Sequence, residues 1–132
     1  MKNKKNKWSA FESPDYEIQN LGRPAAFLLP TYKLKKCLMD GVAVEESLHR
    51  FLIENFGAFT TTTVPYFGFW RDSGENLVYD ECRLYEVSFE GKDRIPPLLA
   101  KLAAIAAVIE EDCIYCKAGQ YACLVRPKKG RR

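Results

Sequence analysis

Histidine occurs once in this chain, at position 49, so any catalytic dyad or triad that needs an imidazole has a single possible member. No G-x-S-x-G elbow and no glycine-rich phosphate loop is present to supply a nucleophile or hold a triphosphate. Long hydrophobic runs are also missing. The longest apolar stretch, Ile95 to Ile109, is broken by Lys101 and is too short to cross a bilayer, so no membrane partner is expected. The charged first residues are followed by no apolar leader core, because Trp8 to Gly22 alternates polar and aromatic residues. The five cysteines are odd in number and lack a second pair at zinc-knuckle spacing. These absences point to a reducing cytoplasmic setting with free, mostly buried thiols, and neither a metal nor a cofactor is implied.

Apolar residues make up 47% of the 132 positions and aromatics 13%, enough for a packed core. Charge is segregated. Lys2, Lys4, Lys5 and Lys7 open the chain, and Arg126, Lys128, Lys129, Arg131 and Arg132 close it. All 17 acidic residues lie between Trp8 and Val125, where eleven basic residues face them. An acidic body with two basic ends permits salt-sensitive contact with a phosphate backbone through Lys2, Lys4, Lys5, Lys7, Lys128, Lys129, Arg131 and Arg132. Frayed, solvated tails are the plainer reading.

The spacing divides the chain into a basic, aromatic arm (1–24), one α+β domain (25–125) and a basic tail (126–132). The arm reads as extended, with Trp8, Phe11 and Tyr16 laid against the body or a partner. Ala25 to Met39 reads as a strand broken or bulged at Pro30, since proline cannot donate to a central ladder. Val42 to Phe56 repeats apolar residues on one helical face and is closed by Gly57. Ala58 to Arg71 and Leu77 to Glu90 alternate as strands around the turn at 72–76. Ile95 to Glu111 opens with Pro96 and Pro97 in a helix first turn, with Leu98, Leu99, Leu102, Ile105, Ala106 and Ile109 turned inward. Its other side, Ala100, Ala103, Ala104, Ala107 and Val108, is unusually apolar and predicts cover by the same chain or a second one. Cys113 to Val125 reads as a last strand with a kink or tight turn at 117–120. The order strand, helix, strand, strand, helix, strand predicts a ferredoxin-like split βαβ fold, with two helices on one face of an antiparallel sheet.

Period-two alternation puts Leu77, Tyr79, Glu81, Arg83, Tyr85, Val87 and Phe89 on one sheet face. Charges in such a row pair with a neighbour or line a cavity. Glu81, Arg83 and Tyr85, with Trp70 and Arg71 from the facing strand, are therefore the candidate ligand-binding residues. Alternation separates Asp80 and Glu86 from Glu81, so no carboxylate dyad follows. Of the aromatics in Tyr66-Phe67-Gly68-Phe69-Trp70, two are expected in the core and two outside. Exposed aromatics on such a sheet suit base stacking, but the strand RLYEVSF lacks the basic-glycine-aromatic signature of RNA-recognition sheets. Cys113-x-x-Cys116 sits in strand-like sequence, where positions three apart point to opposite faces, and His49 reads as a helix-surface residue.

With so few catalytic groups, the sequence predicts a small non-enzymatic binding or regulatory module, self-associating or bound to a protein partner. The alternatives are a nucleic-acid-associated protein using its tails, or a small-molecule-binding protein or enzyme with a polar site on the third strand.

Overall fold

The thirteen alternating residues Leu77–Phe89 form the longest strand, and the rest of the sheet is assembled against it. The computed structural model describes residues 7–128. Along the chain run a short 3-10 turn (Lys7–Phe11), β1 (Arg23–Pro30), α1 (Thr31–Lys36), β2 (Leu38–Met39), β3 (Val42–Ala43), α2 (Val44–Phe56), β4 (Thr60–Thr61), β5 (Tyr66–Arg71), β6 (Leu77–Phe89), α3 (Ile95–Val108), β7 (Ile114–Ala118) and β8 (Tyr121–Val125). It is a mixed α+β structure with a main antiparallel sheet ordered β4-β6-β1-β7-β8, with β5 also pairing β6, and a small β2-β3 ribbon.

β1 lies along β6 from Arg23↔Phe89 to Pro30↔Cys82. Paired residues share a face. Ala25, Phe27 and Leu29 therefore stand beside Val87, Tyr85 and Arg83, and the Phe27 and Tyr85 rings stack at 5.5 Å. Leu48 and Leu52 of α2 and Leu98, Leu102 and Ile105 of α3 cover this face, and all are buried. Each such leucine contributes roughly 1.5–3 kcal/mol by leaving water. The acidic first turn of α2, Glu45 and Glu46, suits its positive end, and Gly57 closes it with a left-handed φ of 80°.

Several elements differ from the sequence reading. Thr31–Lys36 is a helix and not a continued strand: Pro30 ends the ladder, and Leu34 alone of the next turn is buried. The final segment is two strands folded at residues 119–120, with Ala118 opposite Tyr121. The arm holds a 3-10 turn and a Ser13–Tyr16 bridge, and Trp8, Phe11 and Tyr16 are exposed. All four aromatics Tyr66, Phe67, Phe69 and Trp70 are exposed as well. The reason is length. β1 ends opposite Cys82, so β5 and residues 77–81 of β6 overhang the sheet and neither face of that hairpin reaches the core. On α3, Ala100, Ala104 and Val108 are exposed, so among the described residues no part of the same chain covers them.

Gly22 approaches β6 so closely that a Cβ there would lie 1.9 Å from the Phe89 carbonyl oxygen, whereas a Cβ on Gly41 would meet nothing within 4 Å. Both residues have φ above 80°. We predict that Gly41→Ala costs about 1–2 kcal/mol, from backbone strain alone, and Gly22→Ala clearly more, because β1 must move away from β6. Urea unfolding of the two variants checks this; equal losses would show that the contact yields freely.

Candidate functional site

Where α2 passes over β6, the apolar face gives way to a polar cluster. Arg83 reaches up from the strand to bond the Glu45 carboxylate, and Lys35 of α1 lies 3.4 Å from the same group. The Arg83 and Glu45 side chains keep only 15% and 22% of their exposure. One turn further along α2, His49 Nε2 lies 2.9 Å from the Tyr85 hydroxyl, and its ring packs against Phe59 at 4.8 Å. The Arg83 guanidinium also sits 5.3 Å from the centre of the Tyr85 ring.

The packing tunes Glu45, His49 and Tyr85. Burial would raise the Glu45 carboxyl, but its bonds to Arg83 and the Lys35 charge outweigh that and hold it below the ordinary carboxylate range. Burial lowers His49, and the Arg83 and Lys35 charges lower it further against the pull of Glu45. Burial pushes the Tyr85 phenol up to about 12. At neutral pH the His49–Tyr85 contact is thus one hydrogen bond between an uncharged ring and a protonated phenol. His49 is consequently part of an inward cluster and not a helix-surface residue, a role that only its position one turn after Glu45 hinted at.

Of the five residues proposed from alternation, the structure brings Arg83 and Tyr85 together. Glu81 is on the same face, opposite Phe67, but exposed. Arg71 lies at the far end of the hairpin, opposite Leu77, and pairs with Glu75 at 3.3 Å. Trp70 pairs with Val78 and so faces the opposite side of the sheet. Trp70 and Arg71 therefore do not join Arg83, because the facing strand pairs only with the overhang. Lys7 and Lys128 are exposed; Lys2, Lys4, Lys5, Lys129, Arg131 and Arg132 lie outside the described residues. Among the described residues no three His, Cys, Asp or Glu side chains gather as a metal site, and no helix is long and apolar enough to cross a membrane.

Beside the cluster, on the far side of Phe59, an open cleft of about 630 Å³ runs between the end of α2 and the end of β6. Glu54, Glu86, Glu90 and Asp93 stand in its wall against the single guanidinium of Arg94, with Asn55, Phe56, Phe59 and Ser88 between them. Its volume is that of a small-molecule site, and its excess of carboxylates favours a cation. The sequence reading missed it, since it is built from a helix end, two loops and a strand end far apart in the chain.

No protein-family description and no curated protein matches the chain. Solved structures do. A phage SAM lyase in complex with S-methyl-5′-thioadenosine superposes with a TM-score of 0.58 at 10% identity, covering 89% of this chain and 98% of that one. The chain shares its fold with that enzyme. The lyase's apo state gives 0.56 at 10% identity over 86% and 96% of the two chains. This likeness to an enzyme along nearly its whole length overturns the expectation of a non-enzymatic association module. A scarcity of histidine and of nucleophile motifs excludes only the chemistries that need them.

Acid should dissolve the polar cluster in two stages. His49 and Glu45 both have folded-state pKa values below their ordinary ones, so the unfolded chain binds more protons and stability rises with pH through each window. The His49 contribution is complete above about pH 6.5 and is lost as pH falls below it; that of Glu45 is lost below about pH 4.5. Urea midpoints measured from pH 4 to pH 8 should fall with acid, and His49→Gln should flatten the upper part. An unchanged slope in the variant would show that His49 is not the titrating group.

Proposed function

We propose that this chain is an enzyme acting on an S-adenosylmethionine-type sulfonium nucleoside, bound in the acidic cleft beside β6. The observation that carries this reading is the superposition on a SAM lyase over 98% of that enzyme's chain. The cleft supports the location: S-adenosylmethionine carries a sulfonium and an ammonium, and four carboxylates against one guanidinium offer both a favourable field. The sheet supports the architecture. The order β5-β6-β1-β7 with antiparallel neighbours supports reading the core as a ferredoxin-like split βαβ, with β4 and β8 added to it.

In such a reaction an oxygen of the substrate's own carboxylate displaces sulfur from the terminal carbon of the amino-acid chain and closes a five-membered lactone; the electron pair of the broken carbon–sulfur bond returns to sulfur, and neutral S-methyl-5′-thioadenosine leaves. Positive charge on sulfur disappears on the way to the transition state. Carboxylates set against the sulfur would therefore stabilise substrate more than transition state, so the cleft carboxylates serve best as partners of the ammonium and as an attractive field for entry. The Arg83–Glu45 and His49–Tyr85 pairs hold the floor of the neighbouring region and keep Phe59 in place between them and the cleft.

Incubation of the purified chain with S-adenosylmethionine, followed by chromatography at the adenine absorbance, should show S-methyl-5′-thioadenosine accumulating with time. The double variant Glu54→Gln, Glu86→Gln should raise KM about tenfold, equivalent to about 1.4 kcal/mol of binding, with kcat changed less. No product above the uncatalysed background at saturating substrate would refute the reading.

A further inference from the structure

β6 is paired unequally on its two edges. β1 accompanies it to Phe89 on one side; on the other, β5 pairs with residues 77–82 and β4 with Tyr85 and Glu86, and no described strand continues along residues 87–89. The backbone groups that face this open edge follow from three contacts. The Leu84 carbonyl accepts from the Thr62 N–H at 3.2 Å on the β4 side, and every second residue after it, Glu86 and then Ser88, turns its N–H and C=O the same way. Opposite Ser88 stands Pro24, which has no N–H, and whose carbonyl accepts from Gly119 on the other side of β1. The Phe89 carbonyl points back toward Gly22. Ser88 therefore turns one backbone donor and one acceptor outward, and it lies in the wall of the cleft.

A donor beside an acceptor on a rigid strand is the complement of the adenine edge, where the 6-amino group donates and N1 accepts. The open stretch is too short for a peptide strand to add itself, since augmentation draws its affinity from a run of main-chain bonds. A flat heterocycle needs only the two groups and an apolar plane, which Phe56 and Phe59 in the same wall provide. Resting on the function proposed above, we propose that the Ser88 backbone reads the base of the substrate and selects adenine over hypoxanthine. Hypoxanthine would set its N1–H against the Ser88 N–H and its 6-oxo group against the carbonyl, leaving two polar groups mismatched.

The test uses the full chain with two probes, S-methyl-5′-thioadenosine and its hypoxanthine counterpart, S-methyl-5′-thioinosine, in calorimetric titrations. The adenine probe should bind at least about tenfold more tightly and should shift the Ser88 amide resonance. Ser88→Ala keeps both backbone groups and should bind as the parent does. Ser88→Pro removes an N–H that no ladder uses and should weaken the adenine probe by about tenfold, with the thermal midpoint reporting whether the fold survives. If it does not, the two probes on the parent chain decide alone. Equal affinity for both probes, or a folded Ser88→Pro variant that binds adenine undiminished, overturns base reading by Ser88 while leaving the catalytic proposal standing. Binding of neither probe, with no turnover of S-adenosylmethionine, overturns both.

Discussion

A strand of thirteen residues flanked by shorter partners cannot be paired on both edges throughout. β6 meets β1 over residues 82–89, β5 over 77–82 and β4 over 85–86. Its first part consequently leaves the sheet with only β5 for company, and its last part keeps one edge free. The aromatic hairpin is the result of the first mismatch and the cleft of the second. Only in the middle of β6 are both edges and the inner face occupied, and there the core and the polar cluster meet.

That meeting explains why charged and aromatic side chains alternate on one strand face. Tyr85 packs on Phe27 and bonds His49, while Arg83, one step nearer the overhang, is deep enough to need Glu45 and shallow enough to keep water beside it. A guanidinium at that depth without its carboxylate would be costly, and the Lys35 contact spreads the same carboxylate between two cations. α1, a helix of only six residues, thus holds its position through one buried leucine and two charges, Lys35 on Glu45 and Lys33 on Glu111.

Much of this was legible in the sequence and some was not. α2, α3, the turn at 72–76 and β6 follow from periodicity and from Gly57, Pro96 and Pro97, and the pairing need of Arg83 follows from its place in an apolar row. α1 was hidden because Tyr32 and Leu34 alternate as a strand would over less than two helical turns. The β2-β3 ribbon was missed, Val42 and Ala43 being read as the start of the helix, although Asp40-Gly41, both with positive φ, stands between two apolar pairs. Trp70 and Arg71 looked like neighbours of Arg83 because alternation assigns faces but not register; the register places them against Val78 and Leu77.

By itself the sequence determined the longer elements α2, α3, β5 and β6, the inward faces of the two long helices and the mixed α+β class, because these depend on spacings within a few residues of each other. Tertiary structure alone decided which edge of β6 stays open, which carboxylates gather around it, and that His49 faces Tyr85. Those are outcomes of strand length and register between segments tens of residues apart, and no local pattern carries them.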